Sequence, residues 1–368
     1  ESSAASDVYK RQIMTLDAGG TNFVFSAMQG GEQMIEPFAL PSMANDLNAC
    51  LGQLVKGFEK IQHLIPMDAS AISFAFPGPA DYENGIIGDL PNFPSFRGGV
   101  ALGPYLQIRF GMPVFINNDG SLFAYGEAMA GALPLVNNRL EEAGSPKRFN
   151  NLLGLTFGTG FGAGVVINGE LLVGDNGLGG DIWCFRNKKY PAYIVEDSVA
   201  IRAIKRVYRE LSGDERDLEP KDINDIIAGK IDGNVDAAKK SFAEFGEMAG
   251  DAIAMADTIV DGLVVIGGGV SKASAHILPA LVGEMNSKLK MMNGEEVGHM
   301  QMKVYNLEDE QQFADFTRGG AVKINVPGSS VQVDYDPMKR IGVIVSKNGA
   351  SESIALGAYV YALNKLDE

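Results

Sequence analysis

Apolar residues along the chain fall into short runs closed by glycine-rich turns and into longer stretches with helical spacing. Over Gln12–Met28, Ile13, Thr15 and Leu16 lead into Asp17-Ala18-Gly19-Gly20-Thr21-Asn22, followed by Phe23-Val24-Phe25, which predicts strand, tight turn, strand. Leu47, Leu51, Leu54, Phe58 and Ile61 recur as one helical face, predicting a helix over 44–64. The run 71–76 reads as a strand stopped by Pro77-Gly78-Pro79. The run 114–116 reads as another, ending at Asn117-Asn118-Asp119 before a helix over 121–130 capped near Asp119 or Gly120. Residues 137–151 read as a polar insert. The pattern then restarts with Leu152–Phe157, Gly158-Thr159-Gly160-Phe161-Gly162 and Ala163–Ile167, and Asn168-Gly169 is a hairpin signal before 170–173. Helical spacing returns over 195–211 and 237–260. An apolar strand at 263–266 feeds Gly267-Gly268-Gly269 and a helix over 271–289. Residues 303–347 read as rich in strands, and a last helix is predicted over 353–366.

Strand, glycine turn, strand thus occurs twice, each time followed by mixed helix and strand. This weak internal duplication predicts an α/β protein of two similar lobes with a cleft between them. At 368 residues the chain is long enough for two domains. Two cysteines, Cys50 and Cys184, exclude a disulfide scaffold and any zinc site of three or four thiolates. The three histidines, His63, His276 and His299, form no metal-binding pair in sequence. Chemistry is left to carboxylates, hydroxyls and backbone groups.

The formal charge is −15, from 46 acids against 31 bases. Such a field repels nucleic acid and anionic lipid, and neither is expected as a partner. It repels nucleotides too, so nucleotide binding here requires backbone N–H groups, helix N-termini and a divalent cation. The first twelve residues are polar, carry no apolar signal-peptide core and are set aside from the fold. The stretch 152–167 is short for a membrane span and holds five glycines. A cytoplasmic protein is expected.

Read alone, the loop 17–22 is an ordinary hairpin turn. Read as a phosphate loop, Gly19 and Gly20 let the backbone approach phosphate oxygens, Thr21 and Asn22 donate hydrogen bonds, and Asp17 holds a hydrated Mg²⁺. The loop 158–162 matches the spacing of a dinucleotide fingerprint, but that fingerprint opens a helix and this loop enters a strand. A second phosphate hairpin using Gly158, Thr159, Gly160 and Gly162, or a plain turn, fits better. Gly267, Gly268 and Gly269 between strand and helix suit either a tight turn or a helix N-terminus beside a base or ribose. Asp119 is a helix cap in one reading. In the other it is the general base for a substrate hydroxyl, with Asn118 orienting that substrate.

In combination these motifs resemble the ROK family of sugar kinases and sugar-responsive repressors. The matching residues are Leu16–Thr21, Pro77-Gly78-Pro79 ahead of Pro91-Asn92, Asn118-Asp119 with Gly126-Glu127, Gly158–Gly162, Gly267–Gly269, and Ala355-Leu356-Gly357-Ala358 in the last helix. The resemblance implies two actin-like (ribonuclease H-like) lobes with mixed sheets around an interlobe cleft. It places the small lobe at 12–126 plus 353–368 and the large lobe at 127–352. It implies phosphorylation of a hexose hydroxyl by ATP with Mg²⁺, Asp119 as base, and Asn92, Asn118, Asp181 and Glu196 on the sugar. The family's E-x-G-H is here Asp181-Ile182-Trp183-Cys184, and its zinc motif is replaced by Cys184–Tyr190, so no zinc site is expected. A sugar-sensing or non-catalytic member is the alternative. Only about a dozen residues precede the first strand of this sequence, so DNA binding through a helix-turn-helix is not expected and the kinase is the reading preferred. A homodimer accords with the resemblance, though no sequence feature shows one.

Overall fold

The computed structural model describes residues 11–90 and 93–368. Asn92, expected at the sugar, lies outside the described residues. The chain divides into two compact units: residues up to 130 with 171–180 and 351–368, and residues 131–170 with 181–350.

In the first unit β1 (Ile13–Ala18) pairs antiparallel with β2 (Asn22–Gln29), which carries the short strands β3 (Glu32–Gln33) and β4 (Phe38–Pro41). After helix α1 (Leu47–Leu64), β5 (Ala71–Ala75) lies parallel to β1. A ribbon of β6 (Ala80–Asp81) and β7 (Ile86–Ile87) and helix α2 (Leu102–Phe110) lead to β8 (Val114–Asn117), parallel to β5, and then α3 (Asp119–Ala130). Side chains alternate across β1, so Met14 and Leu16 enter a phenylalanine-rich core while Ile13 faces the C-terminal helix, Ala350–Asp367. That core holds Phe23, Phe25, Phe58, Phe74, Phe76, Phe93 and Phe96, all fully buried, with Phe76 and Phe93 ring centroids 5.0 Å apart. The C-terminal helix crosses α3 with backbones touching: a Cβ on Gly126 would lie 2.1 Å from the Ser353 carbonyl oxygen. Beside this crossing the Ser353 hydroxyl donates to the buried Glu127 carboxylate at 2.5 Å. The Gly126-Glu127 and Gly357 motifs are thus a helix junction.

The second unit repeats the plan. After α4 (Ala132–Glu142), β9 (Leu152–Phe157) and β10 (Phe161–Ile167) form an antiparallel hairpin with β11 (Glu170–Leu171) at its edge. Helices α5 (Ile201–Ser212), α6 (Pro220–Ile227) and α7 (Val235–Val260) precede β12 (Leu263–Gly267), which is parallel to β9 and buried along its whole length. Helix α8 (Ser274–Met285) and a small hairpin, β13 (Lys288–Lys290) and β14 (Glu296–Gly298), lead to β15 (Lys303–Asn306). Helix α9 (Glu310–Arg318) and a second hairpin, β16 (Val322–Asn325) and β17 (Gln332–Tyr335), precede β18 (Arg340–Val345). The sheet order is β11-β10-β9-β12-β18-β15, against β3-β2-β1-β5-β8 in the first unit. In both, an antiparallel hairpin is followed by parallel neighbours, the sheet counterpart of the duplicated sequence pattern.

Several expected elements differ. The polar insert begins inside α4, because Leu133, Val136 and Leu140 form a buried helical stripe beneath its polar residues. The helix expected over 195–211 is a 3-10 turn, Val195–Ser198, then a break and α5. The helix expected over 271–289 is a 3-10 segment to Ala273 and then α8; Leu289 sits in β13. The region 303–347 contains α9, whose Phe316 is buried and stacks on Phe149 at 5.7 Å. Helices α2 and α6 had no counterpart in the sequence reading. Among the described residues no helix is long and apolar enough to cross a membrane.

Candidate active site

Parallel pairing sets Asp17, Ala75 and Asn117 in one row across β1, β5 and β8. Carboxyl ends of parallel strands are where such sheets present ligand-binding groups. Asp119, two residues past this row, is the first residue of α3, so its carboxylate stands at a helix N-terminus. The Gly120 N–H donates to Asn118 Oδ1 and to Asp119 Oδ1, each at 2.8 Å. Asp119 is open to solvent, yet the surrounding chain desolvates its carboxyl and holds it above the usual range, against the pull of the Gly120 and Asp119 backbone N–H groups. Asp17 is also raised, first by desolvation and second by the negative charge of Asp119. The structure therefore brings Asp17, Asn118 and Asp119 together, with two carboxylates close enough to feel each other.

The first glycine hairpin is closed by the Gly19 N–H on the Asn22 carbonyl at 3.0 Å, leaving Gly19, Gly20, Thr21 and Asn22 exposed. Ser42 fixes its outer side: its N–H donates to the Thr21 carbonyl at 2.9 Å and its hydroxyl to the Gly20 carbonyl. Ser42 is buried and was missed in the sequence, where one serine after Pro41 carries no signal.

In the second unit the same sheet edge collects the other two loops. Gly267 pairs with Thr156, so Gly158–Gly162 after β9 and Gly267–Gly269 after β12 are neighbours. Gly268 has φ +87° and lies so close to β9 that a Cβ would be 2.3 Å from the Phe157 carbonyl oxygen. Glu196 Oε2 accepts the Phe161 N–H at 3.0 Å, its Oε1 accepts Arg202 at 3.0 Å, and Arg202 also donates to the Thr159 carbonyl at 3.2 Å. The Glu196 carboxylate, expected on the sugar, here braces the hairpin. Arg202 was missed because its partners lie up to 43 residues away.

Asp181 is exposed, raised by desolvation and lowered in part by a hydrogen bond from Trp183. The Cys184 thiol donates to the Asp181 carbonyl at 3.2 Å. Along the segment that replaces the zinc motif, Lys188 pairs with Glu284 at 2.7 Å and Glu247 at 3.0 Å, and Lys189 pairs with Glu244 at 2.8 Å. Among the described residues, Asp251, Glu284 and His299 form a cluster with metal-ligand chemistry, and the Lys188 ammonium already neutralises its Glu284.

A family model described as the ROK family matches residues 13–312. The chain belongs to the ROK family. This ROK protein is 63% identical to a glucokinase from Parabacteroides distasonis, whose crystal structure superposes with a TM-score of 0.91 over 96% of this chain and 98% of that one. It is 25% identical over 314 residues to a glucokinase from Thermotoga maritima, covering 74% of this chain and 90% of the relative. It is also 25% identical over 273 residues to an N-acetyl-D-glucosamine kinase from Aliivibrio salmonicida, covering 69% and 83%. The two α/β units are the actin-like sugar-kinase architecture of the ROK structures.

Proposed function

We propose that this ROK protein is a sugar kinase of the glucokinase type, transferring the terminal phosphoryl group of ATP to a hexose hydroxyl with Asp119 as general base. The observation that carries the reading is Asp119 itself. It is a solvent-open carboxylate at a helix start, raised above the ordinary aspartate range and set beside Asn118 at the strand edge. A base whose pKa lies closer to the working pH accepts a hydroxyl proton more effectively as the new O–P bond forms. Asp119 would take that proton, the sugar oxygen would bond to phosphorus, and ADP would leave with the electron pair of the broken bond.

Asn118, Asp181 and Asn92 are the proposed sugar contacts, each able to exchange hydrogen bonds with hydroxyls. Gly19, Gly20, Thr21 and Asn22, and separately Gly158, Thr159, Gly160 and Gly162, are the proposed phosphate loops, with Gly267–Gly269 for the adenosine. The residues fit a divalent cation: Asp17 and Asp119 present two carboxylates with like-charge repulsion that Mg²⁺ relieves. Mg²⁺ bound through water at Asp17 would supply charge neutralisation on the transferred group. Glucose is favoured over N-acetylglucosamine by the 63% identity to the Parabacteroides enzyme. Use of the ATP pool fits a cytoplasmic site of action.

A coupled ADP-release assay over a panel of hexoses and N-acetylhexosamines tests the proposal. Turnover with glucose above the other sugars is expected. Sugar binding without ADP release would instead establish the sensing alternative, which the altered Asp181–Cys184 stretch motivates.

A further inference from the structure

A cavity of about 550 Å³ lies within the first unit, between the β1–β2 face of the sheet and the C-terminal helix. Of the residues assigned to the proposed sugar and nucleotide sites it touches Asp17 alone. Antiparallel register sets Asp17 opposite Val24, Thr15 opposite Ser26 and Ile13 opposite Met28. The cavity wall therefore runs along β2 from Val24 to Met28, about 13 Å at the rise of a strand. Asp17 stands at one end of this wall and Glu32 at the other, and Glu352 lines the cavity from the first turn of the helix. Between the carboxylates the lining is apolar, with Val24, Met28, Ala355 and Leu356. The far end is closed where the Gly30 N–H donates to the Tyr359 hydroxyl at 2.7 Å. Thr15 is only 2% exposed, and its hydroxyl makes no hydrogen bond among the described residues. A buried hydroxyl without a partner costs free energy that a ligand's N–H would recover.

We propose that this cavity binds a linear aliphatic polyamine, with one ammonium at Asp17, another at Glu32 and Glu352, and the methylene chain along Val24 and Met28. The chemistry of the lining selects it. An anion, ATP and sugar phosphates included, would meet three carboxylates and no Lys, Arg or His. A purely apolar molecule would leave those carboxylates desolvated without a partner. A short diamine cannot span the wall, whereas a triamine can, and its inner N–H then finds Thr15, one register step along β1 from Asp17. The formal charge of −15 raises the local concentration of polycations. Asp17 is also the residue proposed to hold hydrated Mg²⁺. Resting on that kinase reading, an ammonium at Asp17 competes with the ion, and the cavity is an inhibitory site.

Calorimetry on the full chain without sugar, nucleotide or Mg²⁺, at about 0.15 M salt, should show one spermidine bound with a Kd below about 1 mM and putrescine at least about tenfold weaker. No binding, or several equivalent sites, would overturn the proposal. Glu32→Gln with Glu352→Gln should weaken spermidine at least about tenfold, and Thr15→Val about fivefold. Glu141→Gln with Glu142→Gln, the same charge change on α4, should leave its affinity unaltered. Equal weakening there would mean general attraction to an acidic surface and would reject the cavity. Should a variant fail to fold, amide shifts of the unaltered chain decide. Spermidine should move the signals of 24–32 and 351–358, and shifts confined to other residues would reject the site. In turnover, spermidine should raise the Mg²⁺ concentration for half-maximal rate at least about threefold, and not in the Glu32–Glu352 variant. An unchanged Mg²⁺ dependence would overturn the competition. Binding is read without substrates, so its failure and the failure of the kinase reading are told apart.

Discussion

One oxygen of Glu196 holds the Phe161 N–H at 3.0 Å while the other holds Arg202, so a single carboxylate ties the second glycine hairpin to helix α5. Hydrogen bonds to charged groups contribute about 1.5–3 kcal/mol each. Removing this acceptor in Glu196→Ala should raise the KM for ATP about 10-fold or more, with a smaller change in kcat. Glu196→Gln keeps an acceptor for Phe161 and should recover most of the loss. Steady-state kinetics varied in each substrate separate the roles. A rise confined to the sugar KM would move Glu196 from bracing the loop to contacting the sugar.

Asp119→Asn should lower kcat by about 10²–10⁴ while nucleotide affinity, read by a fluorescent ATP analogue, stays within a few-fold. Unchanged turnover would remove Asp119 from the mechanism. Catalysis needs the ionised carboxylate, and its pKa is raised, so the acid limb of the kcat–pH profile should lie above the range of an ordinary aspartate. The same substitution removes the charge that helps raise Asp17, whose own titration should then move down.

Gly357→Ala would put a Cβ 1.9 Å from the Leu122 carbonyl oxygen, a backbone atom with little room to yield. Forcing α3 and the C-terminal helix apart should cost about 3 kcal/mol or more, seen as a large fall in Tm. A variant within a degree or two of the parent would show that the crossing relaxes freely.

Asp257 lies fully buried near the end of α7, and burial pushes its carboxyl up from 3.8 to about 7. Its Oδ1 accepts the Gly262 N–H at 3.2 Å, and its Oδ2 has no partner among the described residues. The unfolded chain gives up this proton first. Stability contributed by the neutral acid should therefore be present below about pH 4, fall by up to about 1.4 kcal/mol per unit as pH rises toward 7, and level off above. Urea midpoints measured across this range should fall less steeply in Asp257→Asn, and parallel curves would contradict the assignment.

The parts of the site legible in the sequence are those whose chemistry is local. Asp17 with its glycines, Asn118-Asp119 at a strand end and Gly267–Gly269 are each contained within a few residues, and strand pairing carries each set to a sheet edge. Ser42 and Arg202 were invisible because what they hold is 22 and 43 residues away along the chain. The inner half of α4 was masked by Asn137, Asn138 and Arg139: the last two face solvent, while Asn137 is half-buried and exchanges hydrogen bonds with the Phe149 backbone, a role its polar side chain does not announce in the sequence. The membership of 171–180 in the first unit depends on contacts at a distance, for which no local pattern exists.

The junction of α3 with the C-terminal helix also bears on how the chain is made. The first unit takes its last helix from residues 351–368, more than two hundred positions after its sheet is complete. At about 5–20 residues per second, a ribosome needs roughly ten to forty seconds to supply it. Through that interval Ile13, Met28 and Ala71 have no Leu356, Tyr359 or Leu363 to cover them, while the whole second unit emerges. The nascent chain therefore carries an unfinished apolar sheet face for most of its synthesis, and that face is where a chaperone would be needed.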